Sequence, residues 1–374
     1  MKLNNFKINN FKKNNFINKK NKYLLVLLLI CLLYLLCIYI YYKNNRIYFT
    51  NESKQREKIN DFHLIDYKYL FFDIFYKNNK IYLILPLYDT PYLKDDIELK
   101  INNNKIQVTT EYIKDEIEPT HIIIYDYKTE LSEIEITVKY KDKTNNYKLE
   151  HINTNINTTK NELSLTTLFK DDYIFFPLFY KYYKKQGVTQ FYMYYNGIPT
   201  PEIKQVFDLN DVTLIEWNYQ YWNTNCKYEH HAQTGQMHHA IYRYGKDIHN
   251  YMIFCDIDEY LYIPDTTLKK FIINNNEIDV FGFCNIWSNT LDNKIPTELP
   301  NKFYISDKIP YNKRSKNIYK MNSINTIGIH FGSNYNKTPI INTNFSMFHF
   351  YNWTNNIKRD VNNYNCNILT THEF

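Results

Sequence analysis

The stretch Tyr251–Pro264 reads YMIFCDIDEYLYIP: an apolar run opens into Asp256, Asp258 and Glu259 and then turns apolar again. The run ahead of the acids has the length and aromatic content of a buried strand. In an extended backbone successive side chains alternate, which places Asp256 and Asp258 on one side and Ile257 on the other. Carboxylates that converge raise each other's pKa unless a cation neutralises them, and hard oxygen ligands favour Mg²⁺, Mn²⁺ or Ca²⁺. A divalent ion held by only two carboxylates keeps open positions, which suits bridging a substrate's diphosphate. The bland alternative is a solvated strand end, with Asp265 capping the helix that begins at TTLKKF.

Outward from this stretch, strand and helix patterns alternate. ELSLTTLF (162–169) reads as a strand, DDYIFFPLFYKYYKKQG (171–187) as an amphipathic helix ending at Gly187, and VTQFYMYYN (188–196) as a second strand. PEIKQVFDL (201–209) continues as a short helix, DVTLIEW (211–217) as a third strand, HHAQTGQMHHAIYRYGKD (230–247) as a helix and NYMIFCD (250–256) as a fourth strand. This order calls for an α/β fold with a mainly parallel sheet flanked by helices. Ligands in such sheets bind beyond the carboxyl ends of the strands, where the acids fall. Earlier in the chain, KIYLILPLY (80–88), IELKINNNKIQVTT (97–110), THIIIYDY (120–127) and EIEITVKYKDKTNNYKLEHI (133–152) are β-patterned runs separated by turn residues. They predict a small antiparallel, sandwich-like β domain over 62–155, a spacer or acceptor-binding module by default. The polar NTNINTTKN (153–161) links it to the α/β domain, 160–374.

Tyr23–Tyr42 is a run of 20 residues without a charge, long enough as a helix to span a bilayer. Residues 1–22 hold seven lysines and no acid, so the positive-inside rule predicts a single-pass type II protein. Its basic tail is then cytosolic, 23–42 is an uncleaved signal-anchor, 43–61 is a polar stem, and the remainder is lumenal, in the Golgi or endoplasmic reticulum of a eukaryote. The net charge of +6 falls to −1 without the tail lysines, so the basic excess is a topology signal and no nucleic-acid partner is expected. Sequons at Asn51, Asn157, Asn336, Asn344 and Asn352 all follow the anchor. The cysteines show no CxxC spacing, which argues against structural zinc. Cys226 and Cys366 could pair in an oxidising lumen, while Cys255 and Cys284 read as buried thiols. The histidines at 230, 231, 238 and 239 are not spaced as a one-turn metal pair. With Asn, Lys, Ile and Tyr abundant and only 7 Gly, single Asn and Lys residues carry little signal.

From Leu163 to about Trp353 the chain resembles glycosyltransferase family 92, whose members adopt the nucleotide-sugar-binding fold called GT-A. The matching segments are LFKDDYIFFPLFYKYYKKQGVTQFYMYYN, LIEWNY, GQMHHAIYRYG, YMIFCDIDEYLYIP, IGIHFG and FSMFHFYNW, with D-I-D-E-[FY]-L the most specific. The resemblance implies metal-dependent transfer of a sugar from a nucleotide-sugar donor to a glycan or glycoprotein acceptor, with inversion. By position, Asp256 and Asp258 match the D-x-D that holds Mn²⁺ (or Mg²⁺) and the donor diphosphate, and His349 matches a late histidine that completes that site. Asp171, Asp172 and Asn196 fall where nucleotide contacts arise, and Gln236 where a glutamine reaches the donor or orients Asp256. The residues after it, HHAIYRY, depart from the family's small polar or acidic pattern. Glu259 is a candidate support for the metal ligands. Inversion needs a general base, for which Asp292 and Glu298 are candidates, and Trp287 is a candidate platform for an acceptor sugar. Two other readings compete: a phosphatase of the haloacid dehalogenase type, which has Thr or Val where this chain has Tyr260, and a non-catalytic lectin-like membrane protein.

Overall fold

Strand pairing divides the described residues between two large sheets and one short hairpin. The computed structural model describes residues 63–65, 68–69, 71–86, 97–101, 104–105, 110–114, 120–140, 143–152, 154, 161–219, 221, 231–291, 295–306, 311–330, 340–353 and 366–372. The predicted tail, anchor and stem lie outside them, as do the linker residues 155–160 and Cys226. Among the described residues no helix is long and apolar enough to cross a membrane.

The hairpin joins β1 (His63–Ile65) to β2 (Lys68–Tyr69). The first sheet contains β3 (Asp73–Lys77), β4 (Lys80–Pro86), β5 (Ile97–Ile101), β6 (Asn104–Lys105), β7 (Thr110–Lys114), β8 (Thr120–Asp126), β9 (Glu133–Tyr140) and β10 (Lys143–Ile152). Their order is β6-β5-β9-β10-β3-β4-β8-β7, with every neighbour antiparallel except β10 and β3, which pair in parallel at 151–152. The pattern is legible in β9, where Ile134, Ile136, Val138 and Tyr140 are buried and alternate with more exposed polar residues. These side chains share one core with Ile74, Ile81 and Leu83 from β3 and β4.

The second sheet begins with four strands in parallel: β11 (Asn161–Phe169), β12 (Gln190–Tyr195), β13 (Val212–Glu216) and β14 (His249–Phe254), ordered β13-β12-β11-β14. The near-continuous apolar runs of β12 and β14 are those of strands covered on both faces, while β13 at the sheet edge is mostly half-buried. The intervening helices are α1 (Phe176–Lys185), α2 (Pro201–Val206) and α3 (His231–His239). Gly187 ends the first helical connection at φ 92, where a Cβ would stand 2.5 Å from Lys269 Cβ. Beyond β14 the sheet turns mixed through β15 (Glu259–Tyr262), β16 (Val280–Asn289), β17 (Lys302–Ser306), β18 (Tyr311–Lys320), β19 (Ile340–His349) and β20 (Cys366–Thr371). Helix α4 (Leu268–Asn274) precedes β16. Its cap is Thr267, whose side chain accepts from the Lys270 N–H, so the expectation for Asp265 is corrected. Asp265 lies two residues too early and adopts φ 61 in the turn before the helix. Cys366 is a free thiol, and Cys226, the partner expected for it, lies outside the described residues.

Strand β3 faces helix α3 and its continuation as a π-helix, Ala240–Gly245. Alternation sends Asp73, Phe75 and Lys77 to the same side of the strand. Asp73 Oδ2 stands 2.8 Å from His239 Nε2 and 3.5 Å from Arg243, and Phe75 lies under the Arg243 guanidinium. Lys77 donates to the carbonyls of Tyr242 and Lys246, the free end of the helix, where a cation also complements the helix dipole. Phe72 packs so closely that a Cβ on Gly235 would meet its ring at 2.3 Å.

Nearby, His249 Nε2 pairs with the Tyr192 hydroxyl, while its Nδ1 is buried without a partner. Burial, with Lys77 beside it, pushes the imidazole down to about 4 from an ordinary 6.5. The folded state therefore resists protonation: this contribution to stability is intact above about 6.5 and is lost as the pH falls through about 4. The melting temperature is expected to drop across that window, and to drop less steeply in His249→Gln, which can still accept from Tyr192.

Candidate functional site

Strands β11, β12, β13 and β14 end at Phe169, Tyr195, Glu216 and Phe254, and at the ends of the adjacent pair β11 and β14 lies a small open cleft. Its polar lining is Thr166, Thr167, Gln233, Gln236, Asp256 and Lys316. Helix α3 supplies the two glutamines, one turn apart, and each reaches a strand end. Gln236 Nε2 donates to Thr166 Oγ1 at 2.7 Å, and Gln233 Nε2 donates to Asp256 Oδ1 at 3.0 Å. The Tyr221 hydroxyl donates to Gln233 Oε1 and fixes the orientation of that amide.

The backbone does not remain extended through the acids. It turns at Ile257–Asp258, and the Glu259 N–H donates to the Asp256 carbonyl at 3.1 Å. The alternation expected for Asp256 and Asp258 is thereby corrected, and the two carboxylates acquire different partners. Asp256 keeps 36% of its side chain exposed and faces Lys316 Nζ at 2.9 Å through Oδ2. Pairing register explains how: Asn317 lies opposite Phe254, so Lys316 stands beside the residues that follow β14. Lys316 also lies 3.5 Å from Glu259 Oε2, and that same oxygen accepts the Asp256 N–H at 2.7 Å.

Burial pushes the Asp256 carboxyl up, but the Lys316 ammonium outweighs it and leaves the group below the usual carboxylate range. Glu259 goes the other way, to about 7, because burial and then the Asp256 charge outweigh Lys316 and His349. Burial would lower Lys316, yet Asp256 and Glu259 together raise it, so it stays an ammonium ion.

Asp258 is buried and turns towards His349, with Oδ2 3.2 Å from Nε2. Two pairings hold His349 in place: β15 sets Glu259 opposite it on one side, and β16 sets Trp287 opposite it on the other. Glu259 Oε1 lies 3.5 Å from His349 Nδ1, and the indole of Trp287 stacks on the imidazole at 4.6 Å. Trp287 is only 3% exposed, so the expected acceptor platform is corrected: burial leaves it the work of bracing His349.

The other sequence candidates stand apart from the cleft lining. Asp171 and Asp172 open a 3₁₀ turn (Asp171–Phe175) after β11, with Asp171 exposed. Asn196 donates both amide hydrogens to the carbonyls of Trp217 and Tyr219, clamping the segment after β13. Glu298 faces solvent beside Lys181 of α1, whose hydrogen bond and charge hold its carboxyl below the usual range. Asp292 lies outside the described residues, as does His230. His238 and His239 are engaged by Thr234, Ile327, Asp73 and Tyr194, which accounts for both rings.

Sequence reasoning missed Gln233, Thr167 and Lys316. Gln233 lies three residues before Gln236, a helical spacing that could have drawn attention to it. Lys316 had no such signal in a lysine-rich chain. His330, in the quoted segment IGIHFG, contacts β18 through Ser315, and burial pushes its imidazole down to about 4.

The sequence model of glycosyltransferase family 92 matches residues 163–373, more than half of the chain. No curated protein matches it. Among solved structures, surface layer protein SbsC, domains 6-7 in a monoclinic form, is similar at 17% identity over 25% of this chain and 44% of that one. The TM-score of 0.15 is too low for that likeness to bear on the fold.

Proposed function

The chain belongs to glycosyltransferase family 92, and from that premise we propose that its cleft binds a nucleotide-sugar donor and passes the sugar to a glycan or glycoprotein acceptor. The observation that carries the reading is the convergence of Gln233, Asp256 and Lys316 beyond the parallel strand ends, with Asp258 and His349 behind them. The four parallel strands and their carboxyl-end cleft support a GT-A arrangement. Inversion and the type II, lumenal placement belong to the same proposal, supported by the family and by the uncharged run 23–42.

The chemistry of the donor set bears on Mn²⁺. Asp258 and His349 offer an oxygen and a nitrogen that share one hydrogen bond at 3.2 Å, which a cation between them would replace, and Glu259 stands at the other imidazole nitrogen as ligating histidines usually require. Among the described residues no group of three or more His, Cys, Asp or Glu could hold a metal by itself, so donor oxygens would complete its coordination. Asp256 fits less well, since its oxygens are engaged by Gln233 and Lys316. When bound, such an ion would stabilise the charge that develops on the departing diphosphate. The chain's own part is to hold Asp258 and His349 rigid through β15, β16 and β19, and to shield them from water by burial. For the general base, Asp292 remains the candidate. The Lys181 contact makes Glu298 a weaker one.

The test is incubation of the full chain with a panel of uridine and guanosine diphosphate sugars, with and without Mn²⁺, beside an aryl phosphate. Nucleoside diphosphate released from at least one donor, with the aryl phosphate intact, is the expected result. Cleavage of the aryl phosphate alone would establish the phosphatase alternative. Glycan binding without any turnover would establish the lectin-like one.

A further inference from the structure

The cleft holds an ion pair that the resemblance does not assign. Asp256 lines the cleft, and Asp258 and Glu259 lie buried within two and three residues of it, so a diphosphate entering it approaches like charge. Some group must offset that repulsion. Lys316 is the one cation in the lining among the described residues. Arg314, next but one in sequence, lies over the Trp287 ring at 5.5 Å. His330 is kept neutral by its burial.

Two features set Lys316 apart from a purely structural lysine. Its stem is buried, 3% exposed, but its partner Asp256 is 36% exposed, so the ion pair opens onto the cleft. Thr167, lining the same cleft and 2% exposed, has a buried hydroxyl oxygen without a hydrogen-bond partner. A buried hydroxyl left unsatisfied costs stability unless a ligand supplies its partner. A lysine is well suited to that ligand's charge, since its ammonium binds phosphate as a compact point charge.

We propose that Lys316 binds the diphosphate of the donor, with its ammonium shared between Asp256 and the phosphate oxygens and with Thr167 as a second contact. This rests on the transferase reading and names a residue for it. Asp256 then acts chiefly by positioning Lys316, while Asp258 and His349 form the part of the site suited to a metal ion. The diphosphate would be met from two sides, by the ammonium and by the cation position, which explains why the two aspartates have separate partners.

The experiment is calorimetric titration of the full chain with uridine diphosphate, guanosine diphosphate and the two free nucleosides, each in Mn²⁺ and in chelator. Lys316→Gln is expected to weaken binding of the preferred nucleoside diphosphate roughly tenfold or more in both arms, the usual worth of a charged hydrogen bond. Nucleoside binding should stay within about twofold, and Lys316→Arg should retain diphosphate affinity within about threefold, because the charge is kept. Should the glutamine variant fail to fold, Lys316→Met, similar in length and apolar along its stem, carries the same comparison. Unchanged diphosphate affinity in the neutral variant would overturn the inference and leave the transferase reading standing. So would an equal loss for nucleoside and diphosphate, the mark of a structural role. A wild-type chain that binds neither nucleoside diphosphate in either arm would overturn both.

Discussion

Asp258→Asn is expected to lower nucleotide-sugar turnover by on the order of 100-fold to 1000-fold, the scale seen when a group that stabilises transition-state charge is removed. The side chain is buried, and its carboxylate oxygen stands 3.2 Å from His349 Nε2. Asparagine keeps the shape and one oxygen but removes the negative charge, so the cation proposed to be held there with His349 would lose most of its attraction. The fold should persist, because the Asp258 contact with Phe350 is made by its backbone carbonyl. Initial rates at saturating donor, read beside a thermal melt, separate the two effects. A low rate with a melting temperature within a few degrees of wild type is the expected pair. A wild-type rate would remove Asp258 from the site.

The second large effect lies far from the cleft in sequence. Asp73→Ala should cost about 3–5 kcal/mol of folding stability, the penalty for removing one partner of a buried charged cluster. His239 and Arg243 would be left facing an apolar gap, each almost fully buried. Helix α3, which these residues anchor, carries Gln233 and Gln236, so turnover should fall as well. A urea midpoint measures the first effect. Asp73→Asn, able to keep the hydrogen bond to His239, should recover part of it. A midpoint unchanged in Asp73→Ala would mean that β3 does not brace the helix.

How much of this was legible depended on which residues spoke for themselves. The parallel strands β12 and β14 could be read because each is buried along most of its length and its apolar run is nearly unbroken. Gly187 could be read because a positive φ leaves few other choices. The acids of 256–259 were located correctly at a strand end, but strand alternation was the wrong geometry, because the chain turns within the motif. Thr267 outcompetes Asp265 as a cap by standing directly before the helix.

Lys316 was hidden by composition. In a chain with 45 Lys and Arg, a buried lysine looks like any surface lysine until register sets it beside the end of β14. Asp73 and Lys77 were hidden by distance. Charges in a short strand read as a solvent face, and their partners, Arg243 and the Tyr242 carbonyl, lie more than 160 residues away. Trp287 shows the reverse error, since an aromatic near an active site invites a sugar-stacking role that only burial can refuse.

The central claim is that the donor lies at the carboxyl ends of the parallel strands. Hydrogen–deuterium exchange of the full chain, with and without the preferred nucleoside diphosphate, tests it most directly. Protection is predicted in peptides spanning 164–170, 231–239, 254–260 and 314–320, with the strands of 73–152 unchanged. Protection confined to 73–152, or none in the four segments at saturating ligand, would contradict it.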